Sequence, residues 1–371
     1  MLRLINMRFV FKTLTLNDAF SLLSSVKFRS IFALPPFVEL QSLDQKASAK
    51  KIFYIEIKNL EEGVDALVPM IISRNRLDLN LAFSPSPPQF IEGNDIMNEL
   101  WKVMLDSLLN YLKKQYNISA FSMCQRPYDP IFIKERLNGW DMQYTYDIVI
   151  NLSNDIEKIY YNFDKRHRYA LRKATGCSDR ELITSECLKK TGYIIQEAED
   201  IDAIREFRSL WTMTLNRMYE SFSLPRRLFY KDPLTLEKLY KTFNKLKPYG
   251  LIKLFTIYDE TGNPGASNIY FVSGEFLDIP TALWSAGAST EKGRKKGFPL
   301  LLHWYAIRWF KENGYKRYFL GGYDATNPHS GPSLFKKGFG GLLVSGVIAS
   351  WYSQPFRLIR RVVSYMTNPF K

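Results

Sequence analysis

The sequence has few cysteines, no metal-ligand spacing and no long apolar run, and each absence removes a class of protein. Its three cysteines, Cys124, Cys177 and Cys187, stand singly, without a CxxC pair or a histidine at zinc-site spacing. That excludes a zinc ribbon and a disulfide scaffold, and so small and odd a count fits a reducing compartment. The opening MLRLINMRFVFKTLTLNDAF is interrupted by Arg3, Arg8 and Lys12, and no small-residue cleavage site follows, so no signal peptide is expected. The most apolar late stretch, 342–352, is too short to span a bilayer. No P-loop, Rossmann glycine fingerprint or nucleophile elbow is present, which leaves no ground for covalent catalysis. The expectation is a cytoplasmic protein without a bound metal.

Acidic residues are also in deficit. Against 51 Lys and Arg stand 37 Asp and Glu, a formal net charge of +14. Such an excess points to an anionic partner: a phosphate-bearing substrate, a nucleic acid or an acidic membrane face. Apolar material, by contrast, is plentiful at 46% of residues, enough for buried cores and too much for a disordered chain. A length of 371 residues is comfortable for two domains.

Residues 53–58 and 64–73 read as paired strands joined by a turn at Glu61-Glu62-Gly63, and Pro85, Pro87 and Pro88 mark a loop. From 95 to 114, Leu100, Trp101, Met104, Leu105, Leu108, Leu109 and Leu112 fall at helical spacing. A strand at 118–123, a short helix ending at Gly139 and a strand at 143–151 follow, with a domain boundary near 150. The second half opens with a helix over 155–175, Asn154 and Glu157 forming its capping box and Gly176 its stop. Helices at 201–220 and 233–246 and strands at 250–258, 267–273 and 276–285 come next. A helix at 299–313 opened by Pro299, a strand at 316–320, a short helix at 332–337 and a strand at 341–349 complete the chain. Both halves share one order of strands, helix, strand, helix, strand. The expected fold class is α/β of the α+β kind: domains at 1–150 and 151–350, each a mixed, mainly antiparallel sheet flanked by helices. The tail 351–371 either packs on the N-terminal domain or rests on an anionic membrane through Arg357, Arg360 and Arg361.

Three segments of the second half carry a resemblance. Arg168-Tyr-Ala-Leu-Arg172-Lys173-Ala174 looks like an R-x-x-(I/L)-R-K-A helix. Lys295-Lys296-Gly297-Phe298-Pro299 and the following Leu300 to Trp304 look like a loop and its helix. Phe319-Leu320-Gly321-Gly322, then Phe335-Lys336-Lys337-Gly338-Phe339-Gly340-Gly341, look like a G-G … F-K-x-x-F-G signature. Together, over roughly 140–350, they resemble the FemABX aminoacyltransferases, the FemAB-like members of the GNAT acyltransferase superfamily. The resemblance implies two tandem GNAT-like domains and transfer of an acyl or aminoacyl group to an amine. It implies no tightly bound cofactor, with acyl-CoA or aminoacyl-tRNA as co-substrate.

Such a transfer needs a placed carbonyl, donors for a tetrahedral oxyanion and loss of a proton from the amine. Lys336, near the C-terminal edge of the sheet, is the expected cation for a phosphate or oxyanion, and the resemblance assigns it that use. Arg168 and Arg172, with Lys165 on one helix face, suit a diphosphate or phosphate backbone. Arg294 and Gly297 stand where GNAT enzymes cradle the coenzyme A pyrophosphate, but Pro299 removes an amide hydrogen from that loop, which fits aminoacyl-tRNA better. Asp324 is the expected general base, with His329 as the alternative, although substrate-assisted deprotonation needs neither. Asn268 and Tyr270, on one strand face, are expected toward the acceptor, with Tyr323 and Phe335 completing the substrate-binding set. His167 and His303 read as structural, and Gly338, Gly340 and Gly341 as a tight turn.

The expected activity is N-acyl or aminoacyl transfer to an amine of a cell-envelope precursor, either a peptidoglycan peptide or an amino sugar. The expected partners are an anionic nucleotide sugar or lipid-linked precursor, tRNA, and the inner membrane face as a peripheral contact. An acetyl-CoA-dependent transferase acting on a sugar or small amine is the first rival. A non-catalytic RNA- or membrane-binding protein of the same fold is the second.

Overall fold

The computed structural model describes residues 9–21, 28, 30–44, 50–59, 64–75, 78–90, 98–127, 137–177, 183, 185–198, 200–221 and 230–358. The turn expected at 61–63, most of the short helix expected before Gly139 and the tail beyond 358 lie outside these residues. The chain divides into two compact units, one drawn from Met1–Thr145, Phe276–Asp278 and Ser345–Lys371, the other from Tyr146–Glu275 and Ile279–Val344. The expected boundary near 150 and unbroken second domain differ from this division in two places. Leu277 bridges to Phe28, whose N–H donates to the Phe276 carbonyl, and the last strand pairs within the first unit.

In the first unit, β1 (Phe9–Leu14), β2 (Lys50–Asn59), β3 (Val64–Arg74) and β4 (Asn80–Ser84) pair antiparallel in turn, with β5 (Gln89–Phe90) also on β3. β4 then runs parallel to β6 (Ile118–Gln125), and β6 antiparallel to β13 (Leu342–Tyr352). A parallel pair needs a crossover, and the helix α3 (Asn98–Tyr116) supplies it; α1 (Leu16–Ser21) and α2 (Pro35–Asp44) precede it in the chain. Met104, Leu105, Leu108, Leu109 and Leu112 recur at helical spacing on α3 and are buried against the sheet residues Ile55, Val68, Met70 and Phe121. Past β13 the chain stays on this unit, Ser353 N–H donating to the Ser119 carbonyl and Arg357 to that of Gly139.

The second unit opens with the later residues of β7 (Trp140–Asn151), then α4 (Ile156–Asn162), α5 (Lys165–Thr175) and α6 (Ser185–Lys190). β8 (Ile194–Glu197), α7 (Ile201–Ser221), α8 (Leu236–Leu246), β9 (Ile252–Tyr258), β10 (Pro264–Val272) and β11 (Thr281–Ser289) follow. The short α9 (Glu291–Lys295), then α10 (Phe298–Glu312), β12 (Arg317–Tyr323) and α11 (Gly331–Lys337) close it. The strand order is β8-β9-β10-β11-β12-β7, antiparallel except for the parallel β11–β12 pair. It repeats the first unit's plan of four antiparallel strands, a helical crossover, a parallel strand and a final antiparallel one. α10 fills the crossover, and its Leu301, Leu302, Trp304, Ala306, Ile307 and Phe310 are fully buried.

Two expectations fail locally. The helix expected over 155–175 is two helices, broken at Phe163-Asp164. Asp155, not Asn154, stands at the first N-cap and makes no side-chain cap, whereas Asp164 caps α5 through the His167 N–H. The strand expected at 276–285 starts only at Thr281, because Pro280 cannot donate to a sheet ladder. No described helix is long and apolar enough to cross a membrane.

Candidate active site

β11 and β12 pair in parallel over only three positions, Thr281 with Arg317, Ala282 with Tyr318 and Leu283 with Phe319. Beyond Leu283 and Phe319 the ladder between the two strands stops, so the sheet forks there. On its other side β12 stays paired with β7 from Arg317 to Tyr323, with a register shift between Phe319 and Gly322, so that Gly322 pairs with Asp147. Gly321 fits the close approach where the ladder ends: it has φ of 75°, and a β-carbon there would stand 3.0 Å from the Trp284 carbonyl oxygen and 3.7 Å from Lys336 Nζ. An open fork in a sheet presents backbone polar groups that no neighbouring strand has claimed.

Lys336 stands in this fork. Its Nζ donates to the Gly322 carbonyl at 2.6 Å and lies 5.3 Å from the centre of the Trp284 ring. Burial pushes its pKa down, while the buried Asp147 carboxylate on β7 pulls the other way. The ammonium is thus held by one carbonyl and an aromatic face, with the Asp147 carboxylate acting on it electrostatically. A cation in that setting attracts an oxyanion or a phosphate oxygen more strongly than one in bulk water does.

The segment bearing Lys336 is locked onto the start of α5. Asp164 N–H donates to the Gly338 carbonyl at 2.8 Å. Phe163, His167, Phe335 and Phe339 pack together, mostly edge to face with His167 and Phe335 tilted, with ring centres about 5 to 6.5 Å apart. Of the three glycines read as a turn, Gly340 alone has a positive φ, 64°. Gly338 is needed for a different reason, since a β-carbon there would collide with the His167 ring.

Under the fork runs a buried polar chain. Asn268 Nδ2 donates to Tyr270 Oη at 2.9 Å, Tyr318 Oη donates to the same oxygen at 3.4 Å, and His303 Nδ1 meets Tyr318 Oη at 2.5 Å. The His303 ring stands edge-on to Trp284, with centres 4.5 Å apart. Asn268 and Tyr270 were expected toward the acceptor. They share a face, but they lie in the interior, and Tyr270 is wholly buried between Phe255, Phe310 and Tyr318. They support the fork from below.

Burial, with the Lys336 charge second and that of His167 third, pushes the His303 pKa down to about 3. Below its ordinary value of 6.5 an unfolded chain protonates this ring and the folded one does not. Stability is therefore complete above pH 6.5 and is lost as pH falls toward 3, by at most about 1.4 kcal/mol per pH unit. Urea unfolding at pH 7 and pH 5 should show a smaller drop for His303→Gln than for the parent chain; equal drops would contradict this reading.

The remaining expected residues have local duties. Asp324 is exposed, and its Oδ1 accepts from Thr326 N–H, Thr326 Oγ1 and Asn327 N–H, which lower its pKa and weaken it as a base. His329 is exposed in the same connection. Tyr323 is half-buried at the end of β12, and Phe335 lies between the rings of His167 and His303. Arg168 donates to the carbonyls of Tyr161 and Phe163, so it caps α4. Arg172 is half-buried a turn further along α5.

The loop with Arg294 and Gly297 is also committed. Gly297 N–H donates to the Arg294 carbonyl and Arg294 to that of Ser289; Lys292, Lys295 and Lys296 pair with Asp259, Glu291 and Glu260. A cleft of about 540 Å³ lies elsewhere in the unit, and it is acidic, lined by Glu197, Asp200, Asp202 and Glu206 with Tyr258. It contains none of the expected cations. Sequence reasoning missed Asp147, the buried acid of β7, and Trp284, whose role depends on the fork.

No protein-family model and no curated protein matches the sequence. Solved structures do. FemX aligns with a TM-score of 0.67 at 12% identity, over 94% of this chain and 99% of its own. L-PGS from Bacillus licheniformis aligns at 0.52 and 12% identity, over 95% of both chains. The C-terminal domain of an Agrobacterium fabrum protein assigned as a lysylphosphatidylglycerol synthetase aligns at 0.53 and 10% identity, over 95% of this chain and 97% of its own. The fold of this chain is that of FemX, in agreement with the resemblance carried by the F-K-K-G-F-G-G run.

Proposed function

We propose that this chain is an acyltransferase that moves an acyl or aminoacyl group to an amine at the β11–β12 fork. The observation that carries this reading is the position of Lys336, a half-buried ammonium set where two parallel strands part. The attacking amine nitrogen forms a bond to the carbonyl carbon, the ester or thioester bond breaks, and the amine proton leaves with solvent or the departing group. Lys336 neutralises the oxyanion between these events, and the unclaimed strand edges hold an extended, amide-bearing substrate beside it.

The donor we favour is aminoacyl-tRNA. The loop before α10 spends Lys292, Lys295 and Lys296 on carboxylates, and Pro299 takes an amide hydrogen from the helix start, so this loop is poorly equipped to hold a pyrophosphate. The acceptor we favour is an amine of an anionic cell-envelope precursor, in keeping with the net charge of +14 and cytoplasmic work at a membrane face. The likeness to FemX and to a protein named for an aminoacylated lipid supports group transfer of this kind.

The test is a transfer assay with radiolabelled aminoacyl-tRNA and acetyl-CoA, each offered to nucleotide-linked and lipid-linked amino sugars and peptides. Label from aminoacyl-tRNA should appear on an amine in an alkali-stable bond. Label moving only from acetyl-CoA would replace the donor, and no transfer from either would remove the reading.

A further inference from the structure

His167 lies in the first turn of α5, yet both of its ring nitrogens are engaged. Nε2 lies 2.9 Å from the carbonyl oxygen of Phe335, and Nδ1 lies 3.1 Å from Asp164 Oδ1. The Phe335 carbonyl belongs to the last turn of α11, whose carbonyls have no partner within the helix itself. Those of Leu334, Lys336 and Lys337 accept from the N–H groups of Gly338, Phe339 and Gly340 just beyond the helix. Phe335 alone of these four turns to a side chain from another helix, and it immediately precedes Lys336. The ring has little freedom to leave: a β-carbon on Gly338 would stand 2.1 Å from its Cε1, and Phe339 and Phe335 flank it at 4.9 and 5.5 Å.

We infer that His167 is a positioning residue for Lys336, acting through an Nε2–H bond to the Phe335 carbonyl that fixes the last turn of α11. Its bearing on catalysis rests on the acyltransferase reading above; its bearing on Lys336 does not. The titratable groups that act on the ring are Asp164 at the α5 cap and His303 on α10, and His303 in turn senses Lys336 on α11. A neutral imidazole has one N–H. The tautomer that holds α11 places it on Nε2 and turns the Nδ1 lone pair toward Asp164, whereas the imidazolium serves both acceptors. The tautomer protonated on Nδ1 would serve Asp164 and abandon the Phe335 carbonyl.

Histidine-selective ¹⁵N NMR on the parent chain decides between these forms. Only three histidines are present, and the His167→Gln variant assigns the signal. At neutral pH the inference expects the Nε2–H tautomer or the imidazolium; the Nδ1–H tautomer overturns it. A second measurement follows Lys336 itself, by competitive acetic anhydride labelling and mass spectrometry against the exposed Lys241. In His167→Phe, which keeps the ring volume and loses the donor, Lys336 reactivity should change by about fivefold, the scale of one hydrogen bond. His167→Gln, which restores an N–H donor, should return it toward the parent value. Unchanged labelling in folded His167→Phe, or no return with Gln, overturns the inference; should His167→Phe fail to fold, the tautomer decides alone. These readouts need no turnover. An inactive chain that shows them loses only the acyltransferase reading, and an active chain in the Nδ1–H form loses only this one.

Discussion

Alanine at position 336 should lower the rate of acyl transfer by about 100- to 1,000-fold, the usual weight of one oxyanion donor, with the melting temperature nearly unchanged. The two effects separate because Lys336 contributes little to the core. The Gly322 carbonyl that its Nζ bonds belongs to an exposed residue, so water replaces the lost donor. The alanine variant also removes a half-buried ammonium that burial already disfavours. Catalysis depends on the same group differently, since the charge that burial penalises is the charge that a developing oxyanion needs. Arginine should not restore the rate. Its planar fork distributes the charge over several donors, whereas the space between the Gly322 carbonyl and the Trp284 ring is occupied by a compact ammonium. Steady-state kinetics with paired thermal melts checks both halves. A variant with the parent kcat removes Lys336 from the chemistry, and one that is inactive and unfolded leaves Lys336→Arg as the deciding chain.

Gly340→Ala should instead act on folding. The residue has φ of 64°, a conformation that costs a residue with a side chain about 1 to 3 kcal/mol. An added β-carbon would also stand 1.9 Å from the Asn162 carbonyl oxygen and 2.6 Å from its carbonyl carbon, a backbone collision that no rotamer relieves. The strand leaving α11 would have to withdraw from the end of α4, opening the Phe163–Phe339 contact. We expect a loss of about 3 kcal/mol or more, hence a melting point lower by about 10 °C for a unit of this size. Gly322→Ala is the matched control, because its added carbon would meet nothing within 4 Å and its backbone is not left-handed. Its melting point should stay at the parent value, and equal losses in the two variants would refute the steric argument.

Much of this arrangement was legible in the sequence, and the parts that were not share a cause. The stripe of Met104, Leu105, Leu108, Leu109 and Leu112 located α3, and the strands that were expected lie within a few residues of their places, because periodicity reports directly on burial; the short β1, β4, β5 and β8 were not expected. The place of Lys336 in a short helix before the last strand was legible through its glycine- and phenylalanine-rich setting. The break at Phe163-Asp164 was not, since the basic run after it reads as a continuous helix; the signal was there in Asp164, a good N-cap type just before that run. Arg168 looked like a substrate ligand because its guanidinium suits phosphate, but carbonyls at the end of α4 lie within its reach. The fork itself could not be read. Each strand is ordinary in sequence, and where two strands cease to pair is a property of their register. Trp284, Asp147 and the buried His303–Tyr318–Tyr270–Asn268 chain acquire meaning only once that register is known.

The most direct measurement of the central claim is a crystal structure with a non-hydrolysable donor analogue bound, an amide-linked aminoacyl-adenosine carrying the 3′ end of tRNA. The account predicts the acyl carbonyl between the diverging ends of β11 and β12, its oxygen within hydrogen-bonding distance of Lys336 Nζ. An analogue bound productively on any other surface, with the fork empty and Lys336 still on the Gly322 carbonyl, would contradict it.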